Sequence, residues 1–173
     1  MSAPRLVQPV VIDDLLLYRI NRLLSVAGSM VIRLCEGRFG ITRREWRLLA
    51  LLAAEDNLLS SQLADRAQLD RARTSRAITS LVAKQLVLRR TGAADRRQAR
   101  VALTPAGRAL HEDMFPLVRQ INEALLATLD ADAVAGLDRS LDAIQSQADQ
   151  LVEQSQLPKA DRRRGRRAAQ AIG

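Results

Sequence analysis

Three arginines stand close together in one segment, at Arg71, Arg73 and Arg76. At the start of a helix, guanidinium groups can bind the edge of guanine bidentately or clamp backbone phosphates. A solvated helix face is the alternative, but arginines without an acidic partner one turn away repel one another unless an anion is supplied. We therefore expect contacts to DNA from this segment. The expected contact residues are Arg71, Arg73, Ser75, Arg76 and Ser80, with base contacts from Arg73 and Arg76.

A second basic cluster lies in residues 91–97, TGAADRR. The flanking stretches 86–90 and 98–103 have the composition and alternation of short strands, which predicts a β-hairpin. A basic hairpin tip beside a recognition helix can reach the minor groove, where narrow A·T-rich DNA attracts arginine. We expect Arg96 or Arg97 to enter that groove, with Asp95 orienting Arg97.

Helix signals on either side of the arginines predict how they are positioned. Asp70 is a good N-cap for a helix over 71–85, and Ser60 caps a short helix before it. Two short helices with a tight connection form a helix-turn-helix. A capping box at Thr42 and Glu45 starts another buried helix. The sequence thus predicts a winged helix-turn-helix DNA-binding domain over residues 41–103.

Longer amphipathic helices are predicted outside this domain. Apolar residues recur at helical spacing from residue 14 to about 36, and again after the favoured helix start Thr104-Pro105. Asp130 or Asp132 caps a last helix. Because these helices carry more apolar surface than a small domain covers, we expect residues 13–40 and 104–153 to form a helical dimerisation region shared by two copies of the chain.

Composition agrees with a helical protein that binds a polyanion. The 173 residues are 47% hydrophobic but only 2% aromatic, so the core must consist mainly of aliphatic side chains. This favours one folded unit, mainly α with a small β-wing. The net charge of +8 is uneven, since residues 60–100 hold ten Lys/Arg against three Asp and residues 101–157 hold nine acidic residues against three Arg. Such polarity points to nucleic acid.

The two ends of the chain lack a helical pattern. Residues 1–12 contain Pro4 and Pro9 and are expected to form an extended N-terminal arm. Residues 154–173 are expected to be a basic disordered tail. This tail either adds phosphate contacts or only keeps the protein in solution, and the sequence leaves both roles open.

Several classes of protein are disfavoured. The single cysteine, Cys35, excludes an intrachain disulfide, and neither a signal peptide nor a membrane span is apparent, so we expect a cytoplasmic protein. One histidine and the absence of phosphate-loop or metal-binding motifs argue against an enzyme, a metal site and a cofactor.

The order of these elements resembles the MarR family of bacterial transcriptional regulators. The residues that carry the likeness most specifically are Asp95, Arg96, Arg97, Leu103, Thr104 and Gly107. The likeness extends over about residues 13–153. It implies a homodimer that binds a double-stranded, pseudo-palindromic operator, and a repressor that leaves DNA when a small aromatic or heteroaromatic carboxylate binds.

One position departs from the family pattern. Family members often have glycine where the recognition helix ends, and this chain has Gln85. A left-handed cap at a non-glycine residue costs about 1 kcal/mol. We therefore expect this helix end to differ in detail.

The resemblance also implies an effector pocket where the first helix meets the second and fifth. A polar stripe on the first helix either lines such a pocket or is a solvated face. Arg22 would pair with a carboxylate, Tyr18 or Trp46 would stack on a ring, and His111 or a serine would bond a hydroxyl or ring nitrogen. The candidate ligand residues are Tyr18, Arg22, Ser25, Ser29, Trp46 and His111.

Two other functions remain open. Some regulators of this kind sense oxidants through a cysteine, and Arg33 and Arg38 could lower the pKa of Cys35, although no second cysteine is present to resolve an oxidised form. A sequence-independent architectural or RNA-binding protein would also suit the basic tail.

Overall fold

The computed structural model describes residues 4–90 and 99–156. Within them a short 3₁₀ helix, Ile12–Asp14, precedes six α-helices and three strands. The elements are α1 (Leu16–Arg38), α2 (Arg43–Ala54), β1 (Leu58–Leu59), α3 (Ser60–Arg66), α4 (Arg71–Ala83), β2 (Val87–Arg90), β3 (Arg100–Leu103), α5 (Pro105–Leu126) and α6 (Ala131–Gln154). The expected class, mainly α with a small β-wing, is confirmed.

The core lies between α2, α3, α4 and the sheet. Burial of each large aliphatic side chain there stabilises the fold by about 1.5–3 kcal/mol. The side chains that contribute most are Leu48, Leu49, Leu52, Leu63, Ile78, Leu81 and Val101, all at most 1% exposed. Met114 of α5 and Cys35 of α1 belong to the same cluster. Both flanking helices therefore pack on the winged domain within one chain.

The sheet is antiparallel and has three strands in the order β1-β3-β2. Val87 pairs with Leu103 and Arg90 with Arg100, while Leu58 of β1 pairs with Val101. The two predicted strands are present, although β2 begins at Val87 and β3 at Arg100. β1 was not predicted, because a two-residue strand has no alternation to detect and exists only through its pairing with β3.

Both helices of the helix-turn-helix end in the same way, with glutamine in the left-handed conformation. Gln68 follows α3 with φ +52°, and Gln85 follows α4 with φ +58°. After α4, the Leu86 N–H donates to Leu81 O at 3.0 Å and the Gln85 N–H donates to Val82 O at 2.9 Å. This is the Schellman pattern. Glutamine at position 85, where related proteins often have glycine, thus does not change how the helix ends. Gln85 adopts the left-handed conformation that glycine would adopt more easily.

We expect Gln85→Gly to raise the free energy of unfolding by about 0.5–1 kcal/mol, because glycine adopts positive φ without the Cβ penalty. Urea denaturation followed by circular dichroism measures this change. Glu112→Gly is the matched control, since it lies inside α5, where glycine costs up to about 1 kcal/mol. If Gln85→Gly destabilised the protein as much as the control, the strain argument would be wrong.

The chain before α1 is not simply extended. The Val7 N–H donates to Pro4 O at 2.8 Å, which closes a turn, and the 3₁₀ helix follows. The buried Asp14 carboxylate accepts hydrogen bonds from the N–H groups of Val10 and Val11 at 3.1 and 3.2 Å, and these bonds lower its pKa. The described part of the predicted arm, from Pro4 onward, therefore contains local structure.

The chain divides into two compact units, Met1–Leu125 and Leu126–Gly173. In the second unit, Asp130 caps α6 by accepting a hydrogen bond from the Ala133 N–H at 2.8 Å. α6 has no buried residue, and its apolar stripe is exposed at Leu137, Leu141, Ile144 and Leu151. None of the helices in residues 4–90 and 99–156 is both long and apolar enough to cross a bilayer. The predicted tail lies outside the described residues from residue 157 onward.

Candidate nucleic-acid interface and effector pocket

The first turn of α4 concentrates positive charge where a helix disfavours it. Asp70 is the N-cap, as predicted, and accepts a hydrogen bond from the Arg73 N–H at 2.8 Å. The turn that follows contains Arg71 and Arg73 and no acidic residue. Because the macrodipole is positive at a helix N-terminus, cations there cost free energy and anions are stabilised. This turn is therefore poorly arranged for stability and well arranged for binding an anion.

The two faces of α4 separate the candidate contact residues. Thr74, Ile78 and Leu81 are buried on the inner face. Helical periodicity then places Arg76 on the outer face, with Thr79 one turn from it. No ion pair to Arg76 is found in the part of the chain that the structure describes, whereas Arg73 Nε lies 3.1 Å from the Asp70 carboxylate. Arg76 is thus better placed than Arg73 to reach a base.

A cleft of about 450 Å³ lies beside the start of α4. α3, α4, β2 and the residue before β3 contribute to its walls, which are lined by Ser60, Ser61, Arg71, Thr74, Ser75, Ile78, Arg89 and Ala99. The Ser60 hydroxyl donates to Ala99 O at 3.0 Å and so holds the end of the sheet against α3. Two guanidinium groups and three serines suit a sugar-phosphate backbone.

The strands of the wing add further positive charge. Arg90 and Arg100 are direct partners across β2 and β3, a like-charge pair that disfavours the sheet. Arg100 donates to Asn57 O at 2.8 Å. The predicted minor-groove residues Arg96 and Arg97, with Asp95, lie outside the described residues. The described base of the wing is nevertheless basic, as the sequence predicted.

Ser80, predicted from the sequence as a DNA contact, is less exposed than Ser75 and Arg76. It is half-buried beside the buried carboxylate of Glu45 and helps to lower the pKa of that group. Lys84 Nζ lies 2.9 and 3.0 Å from the two Glu45 oxygens and donates to Gly40 O at 2.8 Å. Burial alone would raise the pKa of Glu45, but hydrogen bonds from Ser80, the Thr42 N–H and Lys84 lower it below its usual value.

An apolar pocket of about 360 Å³ lies between α1, the start of α2 and α5. Its lining is Ile20, Leu23, Leu24, Ala27, Gly28, Val31, Arg43, Val118, Ile121, Asn122 and Leu125. Only Arg43 and Asn122 are polar. A Cβ on Gly28 would lie 3.0 Å from Arg43 Nη1, so the guanidinium rests against the α1 backbone. No acidic partner of Arg43 is found among residues 4–90 and 99–156.

The predicted ligand residues do not line this pocket. Tyr18, Arg22, Ser25 and Ser29 share one side of α1, and helical periodicity places the pocket residues of α1 on the opposite side. Arg22 instead lies 3.5 Å from Asp13, in an exposed ion pair. The Ser29 hydroxyl donates to Val26 O at 2.6 Å. This stripe has the character of a solvated face.

Trp46 and His111 meet in the packing between α2 and α5. Their rings stack with centroids 5.4 Å apart, and Phe115 lies 5.3 Å from His111 on α5. Trp46 is only 7% exposed, and burial lowers the pKa of His111. The neutral imidazole therefore serves as a packed ring between two aromatic side chains.

Arg43 and Arg89 were not predicted as site residues, although the sequence holds a signal for Arg43. Arg43 and Arg44 occupy the first turn of α2, where cations are disfavoured by the helix macrodipole. Arg71 and Arg73 are placed in the same way in the first turn of α4. Asn122 had no such signal, because only the packing of α5 on α1 brings it to the pocket.

Cys35 does not have the environment of a redox-sensing thiol. It is fully buried, and burial raises the pKa of its thiol to about 11. The expectation that Arg33 and Arg38 lower this pKa is corrected, because the loss of solvation dominates. A protonated, inaccessible thiol reacts slowly with oxidants, so the redox alternative loses its basis.

Comparisons with known proteins agree with the geometry. Residues 39–98 match the sequence model of the MarR family. A search of curated protein sequences found no significant match. Many solved structures match the fold.

Three of these structures illustrate the similarity. A MarR-family transcriptional regulator from Silicibacter pomeroyi is 25% identical, with 87% of this chain and 97% of that chain covered and a TM-score of 0.69. A MarR transcriptional regulator from Methanosarcina mazei Go1 is 27% identical, with 77% and 98% covered and a TM-score of 0.68. Bordetella bronchiseptica BpsR, whose DNA binding is regulated by 6-hydroxynicotinic acid, is 24% identical, with 73% and 98% covered and a TM-score of 0.63.

The matched region includes the helix-turn-helix and β2 but ends before β3, and the fold is similar to that of transcriptional regulators over most of the chain. The chain is similar to MarR-family transcriptional regulators in the sequence of residues 39–98 and in its fold.

Proposed function

We propose that the chain is a homodimeric repressor that binds a specific pseudo-palindromic operator and is released by a small aromatic or heteroaromatic carboxylate. One observation carries the DNA-binding part of this proposal. The exposed start and outer face of α4 hold Arg71 and Arg76, neither of which has an acidic partner among the described residues. A surface of this kind is stabilised by a polyanion.

In the proposed complex, α4 lies in the major groove. Arg76 is the candidate for bidentate contact with a guanine edge, with Ser75 and Thr79 beside it. Arg71 and Arg89 face the cleft and would clamp a backbone phosphate there. Arg96 and Arg97 remain proposed minor-groove contacts. Arg73, already paired with Asp70, is a weaker candidate for base contact than the sequence suggested.

Selection from a random duplex pool, followed by titration of the selected site and of random DNA at physiological salt, tests this proposal. Specific binders usually prefer their site by more than about 10³-fold. A ratio below about 10² would reject the operator-binding repressor and favour a sequence-independent architectural protein. An RNA duplex of the same sequence serves as the comparison for the RNA-binding alternative.

The proposed dimer rests on apolar surface that a single chain leaves exposed. Leu17, Leu23 and Val26 of α1 are 61–79% exposed, and the stripe on α6 is uncovered in its own unit. Exposed apolar area on this scale usually marks an interface. A second copy would bury it and would hold two α4 helices about 34 Å apart, one turn of DNA.

We expect Leu141→Glu on α6 to convert the dimer into monomers, because a carboxylate would then be buried in the apolar interface. Sedimentation velocity measures the change in mass. Asp142→Glu, on the adjacent position of the same helix, is the control and should stay dimeric. A wild-type chain that sediments as a monomer at micromolar concentration would overturn the dimer.

The effector is proposed to occupy the pocket between α1 and α5. The pocket offers an apolar body for a ring and one half-buried guanidinium, Arg43, for a carboxylate, with Asn122 available for a hydroxyl or ring nitrogen. The similar fold of BpsR, regulated by 6-hydroxynicotinic acid, adds support for a small heteroaromatic acid as the ligand class.

Thermal-shift titration with 6-hydroxynicotinate, benzoate and hydroxycinnamate tests this assignment. A ligand present at a hundredfold its Kd stabilises the folded state by about 2.7 kcal/mol. We expect Arg43→Met to weaken binding of an active acid by about tenfold or more, since it removes the charge-assisted hydrogen bond. Arg44→Met is the control and should have little effect, because Arg44 does not line the pocket. Equal losses in both variants would exclude Arg43 as the carboxylate ligand.

A further inference from the structure

The first turn of α2 contributes one residue to the pocket between α1 and α5 and another to the contact with α4. Arg43, the first residue of the helix, lines the pocket and rests against Gly28 of α1. Glu45, two residues later, points into the protein and is 2% exposed. Thr42 and Glu45 close a capping box, so Arg43 is held between two residues whose positions are fixed by hydrogen bonds to each other.

Glu45 joins this turn to the recognition helix. Its carboxylate binds Lys84 Nζ through both oxygens, and Lys84 is the C-cap residue of α4. Lys84 also donates to Gly40 O, on the other side of the turn. Ser80, one turn earlier on α4, lies beside the same carboxylate. Thus the C-terminal turn of α4 is tied by directional bonds to residues 40–45.

The Glu45–Lys84 contact is polar and directional, unlike the rest of the contact between α2 and α4. The remaining contact is mainly aliphatic, between side chains such as Leu48 and Leu81, and aliphatic contacts are non-directional. A half-buried ion pair is different, because separating its charges leaves a carboxylate without its counter-ion in a poorly solvated site. If the first turn of α2 moves, α4 is therefore expected to move with it, because sliding of the two helices past each other would break the ion pair.

We propose that Glu45 and Lys84 are positioning residues that transmit occupancy of the α1–α5 pocket to the recognition helix. An occupant that draws Arg43 toward the pocket moves the capping-box turn, and the ion pair carries α4 with it. Because Arg71 and Arg76 are on the same helix, their position relative to DNA then changes. This inference rests on the proposed effector pocket and adds the route by which that pocket acts on DNA binding.

The test fills the pocket without any ligand. Ala27→Phe places a ring in the pocket that Ala27 lines. Ala27→Phe is introduced into the wild-type chain and into the double variant Glu45→Gln/Lys84→Met. The double variant removes both charges together and so leaves no unpaired buried carboxylate. Gln at position 45 can still form the capping box. Lys84→Arg keeps the charge pair, and Glu55→Gln/Arg66→Met removes a control ion pair of 2.6 Å elsewhere in the domain.

Two readouts are measured on the full chain: hydrogen-exchange protection of the α4 amides, and affinity for the selected operator. In the wild-type, Lys84→Arg and control-pair backgrounds, Ala27→Phe should change α4 protection and alter operator affinity by about tenfold, within the usual range of allosteric coupling. In the background without the Glu45–Lys84 pair, the effect on affinity should fall to about twofold or less.

The outcomes separate this inference from the proposed function. If the filled pocket changes α4 protection and operator affinity equally with and without the pair, the positioning role is overturned while operator binding stands. If the filled pocket changes neither readout in the wild-type background, transmission from the pocket is overturned. If no background prefers the selected site over random DNA, the proposal of an operator-binding repressor is wrong. Hydrogen exchange of the α4 amides then still decides whether the Glu45–Lys84 pair transmits the effect of filling the pocket.

Discussion

Gly107→Ala is expected to destabilise the protein by at least about 3 kcal/mol, the range of severe backbone overpacking. A Cβ at Gly107 would overlap the carbonyl oxygen of Leu86 and lie 3.0 Å from its carbonyl carbon. These are backbone atoms, so no side-chain rotation relieves the overlap. Urea denaturation of the variant measures the loss.

The surroundings of Gly107 explain why relaxation is costly. Leu86 O accepts a hydrogen bond from the Thr104 N–H at 3.1 Å, and the Thr104 hydroxyl donates to Gln85 O at 2.7 Å. The same hydroxyl accepts from the Gly107 N–H at 2.9 Å. The first turn of α5 is thus locked onto the corner where α4 ends. Movement away from Leu86 would break this corner and the positioning of α4.

Gly37→Ala is the matched control. Gly37 is in α1, and beyond its chain neighbours and its own helix backbone no described atom lies within 4 Å of the Cβ that alanine would add. Because alanine has the higher helix propensity, we expect this variant to be neutral or up to about 1 kcal/mol more stable. Should Gly107→Ala also stay within about 1 kcal/mol of wild type, the close approach of α5 to Leu86 would be refuted.

Arg76→Ala is expected to weaken binding to the selected operator by about 10- to 100-fold, which corresponds to the roughly 1–3 kcal/mol of one bidentate base contact. Arg76 is exposed on the outer face of α4 and has no ion pair among the described residues, so its removal should leave stability nearly unchanged. Preference for one base pair of the operator should relax, while affinity for random DNA changes little.

Arg89→Ala is the informative comparison for Arg76→Ala. Arg89 lines the cleft beside α4, where we propose a phosphate contact. Its loss should weaken operator and random DNA alike and reduce the salt-dependence slope by about 1. Arg119→Ala on α5, where Arg119 pairs with Glu123 at 3.4 Å, is the charge-matched control and should leave both affinities nearly unchanged. If Arg76→Ala behaved like Arg89→Ala, Arg76 would be a phosphate contact and the base-reading role would be wrong.

The sequence alone determined the parts of the fold that depend on neighbouring residues. The capping box at Thr42 and Glu45, and the caps at Asp70 and Asp130, are confirmed, because each is a bond between groups three residues apart. Alternation along β3 placed Val101 and Leu103 inward for the same local reason. The arginines of α4 were found by their number and spacing.

Only the tertiary structure decided which groups from distant segments meet. Arg43 and Asn122 are far apart in the chain and share a pocket because α5 packs beside α1, whereas the regular polar stripe of Tyr18 and Arg22 faces away from it. Ser80 of α4 and Glu45 of α2 come together only through the packing of these two helices. Periodicity defines the faces of a helix, but the neighbouring elements determine which face is buried. Burial in turn affects the pKa and the solvent access of a group, as it does for the Cys35 thiol.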